Sequence, residues 1–398
     1  MKSRTVVKKK QRPSRLPAPA ALSLSPFLAG LPVYQPGRPI EEVARELGLP
    51  AAEVIKLASN ENPLGPSPKA LAAMQAALPQ LHLYPDGNAF YLKRRLAAKL
   101  SVTPQHLILG NGSNEVLELV AHALIQPGDE VVVSQYCFAV YPIVTALFGG
   151  KLVVVPAKAH GHDLPAMRAA VTPRTRIMFV ANPNNPTGTL APAAALRRLV
   201  REAPPHTLLV VDEAYLDFLD EPLDLLPLVR SGARPNLLLA RTFSKIYGLA
   251  GLRLGYGVGH PGFIGALEKV RQPFNINSLA QAAALAALDD DSHRRRTKAN
   301  NGAGLRFFER AFRDLQLEFI PSAANFILVR VGDGQQVFSE LQKRGIIVRP
   351  MAGYQLPEWI RISVGTPAEN ARCVAALRDL SFLEFHGAAP RHRGAGRA

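Results

Sequence analysis

A chain of 398 residues, with 47% hydrophobic and 20% charged residues, can bury a large core and suits a soluble globular protein of two or three domains, or of one large and one small. It has no apolar run of about 18 residues that could span a membrane, and its two cysteines, Cys137 and Cys373, lie too far apart for a CxxC motif and are too few for a disulfide framework, which suits a reducing, cytoplasmic setting. The formal charge of +16 raises nucleic acid as a partner, yet ten of those charges sit at the two ends without an accompanying nucleic-acid motif, so a solvated basic tail is the expectation.

The N-terminal end carries Lys2, Arg4, Lys8, Lys9, Lys10, Arg12 and Arg15, and no acid precedes Glu41. The apolar stretch that follows is broken by Pro17, Pro19 and Pro26, which argues against a secretory signal and leaves an organellar address or a dispensable extension. Residues 1–25 are therefore expected to be a disordered basic extension. Residues 386–398, with Arg391, Arg393 and Arg397, are expected to form a disordered tail.

Between these ends, short apolar runs alternate with helical patterns. HLILG (106–110) reads as a strand, and SNEVLELVAHAL (113–124) as a helix with Val116, Leu119, Val120, Ala123 and Leu124 at helical spacing. DEVVVS (129–134), KLVVVP (151–156), RIMFVA (176–181), TLLVVD (207–212) and NLLLAR (236–241) are further strands. They are continuous apolar runs rather than alternating ones, the pattern of a mainly parallel sheet covered by helices on both faces. In such sheets ligands gather beyond the carboxyl ends of the strands. The last third differs. LEFIPSAANFILVRV (317–331), GIIVRP (345–350) and WIRISVG (359–365) read as strands of a smaller α/β unit, with which the segment around 27–57 is expected to pack.

Four polar clusters fall where strands end: GNGSNE (110–115), ANPNNPTG (181–188), VVDEAY (210–215) and RTFSK (241–245). The first joins a strand, a glycine turn and a helix N-terminus, where free N–H groups and the helix dipole favour phosphate. It lacks the spacing of a Walker loop or of GxGxxG. The ten histidines show no metal-ligand spacing. A lysine, an aspartate at a strand tip, a tyrosine three residues beyond it, an asparagine in a proline-bracketed turn and a phosphate cradle together suggest pyridoxal phosphate. That cofactor needs a lysine amine for its aldehyde, a carboxylate for its pyridine nitrogen, donors for its ring oxygen, and an anchor for its phosphate.

NPNNPTG, VVDEAY, RTFSK and GLRLG, in this order, make the chain resemble the fold-type I pyridoxal-phosphate aminotransferases over nearly its whole length from about residue 30. Within them, ASNENPLGPSP (58–68), YPDG (84–87), GNGSNE and the ending IIVRP…WIRISVG look like the histidinol-phosphate aminotransferase family. The resemblance implies an α/β fold with a large domain (61–290), built on a mainly parallel seven-stranded sheet that binds the cofactor. It implies a small C-terminal domain (291–385) that packs with an N-terminal segment (26–60). It implies Lys245 as the catalytic lysine that bonds the cofactor, Asp212 at the pyridine nitrogen, and Asn185 and Tyr215 at the ring oxygen. Ser113, Asn114, Ser244 and Arg253 would hold the cofactor phosphate. Tyr84 would reach the cofactor phosphate of a second subunit, which implies a homodimer with shared sites. Asn62 and Asn325 would line the substrate site, and Arg349 and Arg361 would grip the substrate phosphate. The substrates so implied are histidinol phosphate and 2-oxoglutarate or glutamate. One departure stands out: where the family often has Pro-Thr-Tyr-x-x-Tyr, this chain reads YCFAVY (136–141), so Phe138 takes the place of the stacking ring. Aromatic aminotransferases and threonine-phosphate decarboxylases on the same scaffold are the nearest alternatives. A DNA-binding regulator would need a helix-turn-helix domain for which the N-terminal residues leave little room.

Overall fold

The computed structural model describes residues 26–28, 31 and 37–384, with side chains described to residue 380. The expected basic extension (1–25) and tail (386–398) lie outside the described residues. In chain order the strands are β1 (Ile55–Lys56), β2 (Leu107–Asn111), β3 (Glu130–Ser134), β4 (Lys151–Val155), β5 (Thr175–Ala181), β6 (Leu208–Asp212), β7 (Leu237–Thr242), β8 (Leu254–Gly259), β9 (Phe319–Ile320), β10 (Phe326–Arg330), β11 (Ile346–Ile347), β12 (Arg349–Pro350) and β13 (Trp359–Ser363).

Seven of them form one sheet in the order β2-β8-β7-β6-β5-β3-β4, parallel except for β8, which runs antiparallel to both neighbours. Successive side chains of a strand point to opposite faces, and here both faces are buried in every strand of the sheet but the edge strand β4. Met178, Val180, Leu209, Val211, Leu237 and Leu239 enter one core. Ile177, Phe179, Leu208, Val210, Leu238 and Ala240 enter the other. This double burial is why the strands read as continuous apolar runs. β8 was not evident in the sequence because it reads LGYGVG. Its glycines answer close contacts: a Cβ at Gly255 would collide with the backbone of Gly112 and Ser113, and one at Gly257 would meet Ile108 at 2.9 Å.

The smaller sheet, β12-β13-β10-β9, is antiparallel and packs its own core around Phe308, Phe312, Ile327, Ile360 and Ile362. The apolar stretch 317–331 is two strands, β9 and β10, separated by a turn that carries Ser322 and Asn325. GIIVRP likewise splits: β11 pairs in parallel with β1, whereas β12 joins the small sheet. The N-terminal segment thereby stitches to the C-terminal third, through Ile55↔Ile346 and through Ser363 N–H donating to Leu57 O. Among the described residues no helix is long and apolar enough to cross a membrane.

Candidate active site

Parallel pairing sets Ala181, Asp212 and Ala240 side by side at the carboxyl ends of β5, β6 and β7. The turns leaving these strands carry Asn185, Tyr215 and Lys245, and they open into a cavity of about 350 Å3 between the two sheets. Of the residues singled out in the sequence, Ser113, Asn114, Phe138, Asn185, Asp212, Tyr215, Ser244, Lys245, Arg253, Arg349 and Arg361 line it.

Asp212 lies on the cavity floor and is only 5% exposed. Its Oδ2 accepts from the Tyr141 hydroxyl at 2.8 Å and its Oδ1 from the Ala214 N–H at 3.1 Å. Burial pushes its carboxyl above the usual range, against the pull of those two hydrogen bonds and of Lys245. No ion pair reaches it among the described residues. It is a buried carboxylate that lacks a cationic partner, the situation that a protonated ring nitrogen would relieve.

Lys245 is half-buried, and its Nζ donates to the carbonyls of Ser59 at 3.3 Å and Asn60 at 3.2 Å. Burial, followed by the Arg361 guanidinium, lowers its amine to about 8; Glu61 and Asp212 pull the other way. Tyr215 stacks edge-on against Phe326, and burial raises its phenol to about 12, so it remains a donor at neutral pH.

At the other end of the cavity, the helix Ser113–Leu124 begins without a side-chain cap, its N-cap being Gly112. Its first N–H groups are available to an anion. Gly112 has φ +80° and ψ 165°, a region held almost only by glycine, and a Cβ there would run into the Arg253 guanidinium. Gly112→Ala is therefore expected to cost about 1–3 kcal/mol of stability and to displace Arg253 from the helix end. Equilibrium unfolding in urea would measure this, and an unchanged midpoint would contradict it.

The small sheet supplies the opposite wall. β12 and β13 pair Arg349 directly with Arg361, and cross-strand partners lie on one sheet face. Arg361 is 6% exposed and donates to Asn185 Oδ1 at 2.6 Å and to Ala58 O at 3.0 Å, with its guanidinium over the Phe326 ring. Two like charges opposite each other are unfavourable unless an anion is bound between them.

Three of the expected residues do not line the cavity. Asn62 Nδ2 donates to Ile246 O and Thr297 Oγ1, both at 3.2 Å. Asn325 is buried and donates to Asn60 O at 2.9 Å. Tyr84 is 84% exposed, its ring stacked on Phe274. The structure brings forward residues that the motifs did not single out. Asn60 and Glu61 line the cavity. Tyr141 holds Asp212 while its ring stacks on Phe179 and meets the Phe138 edge. The last tyrosine of YCFAVY was the only sequence signal for Tyr141.

The donor set fits pyridoxal phosphate: a low-pKa lysine, an unpaired buried carboxylate, phenol and amide donors, and an uncapped helix end beside an arginine. Residues 52–377 match the model of the family described as aminotransferase class I and II. The chain is 52% identical to the histidinol-phosphate aminotransferase of Akkermansia muciniphila, over 88% of this chain and 96% of that protein. It is 50% identical to histidinol-phosphate aminotransferase 1 of Thiobacillus denitrificans, over 90% of this chain and 94% of that one. Among solved structures, the histidinol-phosphate aminotransferase of Sinorhizobium meliloti in complex with pyridoxal-5'-phosphate superposes with a TM-score of 0.81 at 31% identity, covering 91% of this chain and 99% of that one. The chain belongs to the class I and II aminotransferases, and within them to the histidinol-phosphate aminotransferases.

Proposed function

We propose that the protein transfers the amino group between L-histidinol phosphate and 2-oxoglutarate with pyridoxal phosphate; in the biosynthetic direction, toward histidine, glutamate donates to imidazole acetol phosphate. The observation that carries this reading is the Arg349–Arg361 cross-strand pair facing the cavity that holds Lys245 and Asp212. Two adjacent guanidinium groups match a phosphate dianion, which accepts bidentate hydrogen bonds from each.

When bound, the cofactor supplies an aldehyde for amine exchange and a cationic ring that withdraws electrons from the substrate α-carbon. The chain's own residues do the rest. Lys245 Nζ would bond the cofactor aldehyde at rest and, as a free amine, would take and return the α-proton of the substrate. Asp212 would keep the ring nitrogen protonated, Asn185 and Tyr215 would donate to the ring oxygen, and Phe138 would cover a ring face. Ser113, Asn114, Ser244 and Arg253 hold the cofactor phosphate. The two half-reactions use one cavity in turn, which makes the kinetics ping-pong.

The depressed lysine has a measurable consequence. Only a neutral amine attacks an aldehyde, and its fraction rises with pH through the amine pKa. The rate at which apoprotein captures cofactor should therefore climb through pH about 8, well below the usual lysine range near 10.4. Stopped-flow absorbance across pH would show it; a midpoint at 10 or above would contradict the environment described for Lys245.

We also propose a homodimer. What supports it is a set of exposed apolar side chains between residues 78 and 91, Leu78, Leu81, Leu83, Tyr84, Phe90 and Tyr91, extended by Phe274. Light scattering should give about twice the 43.1 kDa chain mass, and Tyr84→Ala should weaken cofactor retention.

The function is tested by steady-state rates with histidinol phosphate, phenylalanine, tyrosine and threonine phosphate. Histidinol phosphate should have the highest kcat/KM. Absence of turnover with it, or carbon dioxide release from threonine phosphate, would overturn the assignment.

A further inference from the structure

Asn60 is 2% exposed and sits at φ +56°, where asparagine is among the few non-glycine residues tolerated. It joins three parts of the molecule. Its backbone N–H donates to Ser363 Oγ on β13 at 2.8 Å, and the Ser363 hydroxyl donates back to Asn60 Oδ1 at 3.1 Å. Its Nδ2 donates to the Tyr215 hydroxyl at 2.9 Å. Its carbonyl accepts from Lys245 and from Asn325.

The direction of these bonds matters more than their number. Ser363 Oγ accepts one N–H from Asn60, so its own proton is available for Asn60 Oδ1. That turns the amide so that Nδ2 meets Tyr215. The phenol oxygen then accepts a hydrogen bond from Asn60 Nδ2 and cannot donate its own proton in that direction. Tyr215 lines the cavity, and among the described residues no acceptor takes its proton. With the amide reversed, the serine proton would lose its acceptor, and the phenol would donate to Asn60 instead.

We propose that Asn60, oriented by Ser363, is a positioning residue that forces the Tyr215 phenol to donate into the cavity, toward the cofactor ring oxygen. This rests on the function proposed above. The chain of donors runs Ser363 to Asn60 to Tyr215, from the small sheet to the end of β6, and each donor strengthens the next. The charged and titratable groups around the phenol are Lys245, Arg361, Asp212 and Tyr354, and all line the same cavity.

The test is a double-mutant cycle on holoenzyme, read as the pH midpoint of the visible absorbance of bound cofactor. A donor to the ring oxygen favours its anionic form, so losing that donor raises the midpoint. Tyr215→Phe should raise it. Asn60→Asp keeps shape and tolerates the left-handed backbone, but it offers only acceptors and so takes the phenol proton. It should raise the midpoint by about one pH unit in the Tyr215 background, and by half of that or less when position 215 is Phe. An equal shift in both backgrounds would mean that the new charge acts alone, and would overturn the proposal; so would no shift in either. If Asn60→Asp does not load cofactor, Ser363→Ala runs the same cycle. Its smaller upward shift should vanish with Tyr215→Phe, and persistence or absence of that shift overturns the proposal. A wild-type protein with no visible cofactor band would defeat the cofactor reading itself, and this inference with it.

Discussion

Lys245→Ala should abolish the visible absorbance of the bound cofactor and lower kcat on the order of ten-thousand-fold or more. The loss has two parts, because one amine both bonds the cofactor and carries the α-proton. The fold should survive. Lys245 follows β7 in a turn, and among the described residues its side chain gives two hydrogen bonds, both to backbone carbonyls. Burial disfavours its charged form, so removing it also removes an unfavourable desolvation. Thermal unfolding of apoprotein should therefore stay level or rise. Full activity in this variant would refute the role given to Lys245, and collapse of the fold would refute its account as a functional rather than a structural lysine.

Arg361→Ala should lower kcat/KM for histidinol phosphate by about 100-fold or more, equivalent to roughly 3 kcal/mol, the scale of a lost charge-assisted bidentate contact. Arg349→Ala should act in the same direction. The two variants should differ in one respect. Arg361 also donates to the side-chain Oδ1 of Asn185, so its loss frees an amide expected to touch the cofactor and should alter the bound-cofactor spectrum. Arg349→Ala should leave that spectrum unchanged. Substrate titrations and absorbance scans of both proteins test this, and unchanged kcat/KM in both would remove the arginine pair from the phosphate site.

What was legible in the sequence followed from chemistry that acts locally. Six parallel strands were visible as continuous apolar runs, because in all but the edge strand β4 the residues are buried on both faces and leave no polar alternation to confuse. The helix Ser113–Leu124 was visible because its apolar residues keep a helical period. Asp212 stood out because it ends β6, and Lys245 and Asn185 because each follows a strand end within a few residues. β8 did not, because its glycines serve packing against Ile108, Gly112 and Ser113, positions well over a hundred residues away. Tyr141 and Asn60 were missed for the same reason: one reaches Asp212, 71 residues on, and the other Tyr215, 155 residues on. Asn62, two positions from Asn60, shares its chemistry but turns toward Ile246 and Thr297. Spacing alone does not say which asparagine of ASNENP faces the cavity.

Arg349 and Arg361 belong to the four-stranded sheet, whereas Asp212 and Lys245 sit at strand ends of the seven-stranded one. Recognition and reaction are thus mounted on separate frames that face each other across the cavity and are tied by a few bonds, among them Arg361 to Asn185 and Asn60 to Ser363 and Tyr215. Exchanges on one frame that spare these ties can change which molecule is admitted while the reactive geometry on the other is left as it was. A new preference could arise on this scaffold through edits to a short antiparallel hairpin-like edge, with the reactive machinery inherited whole.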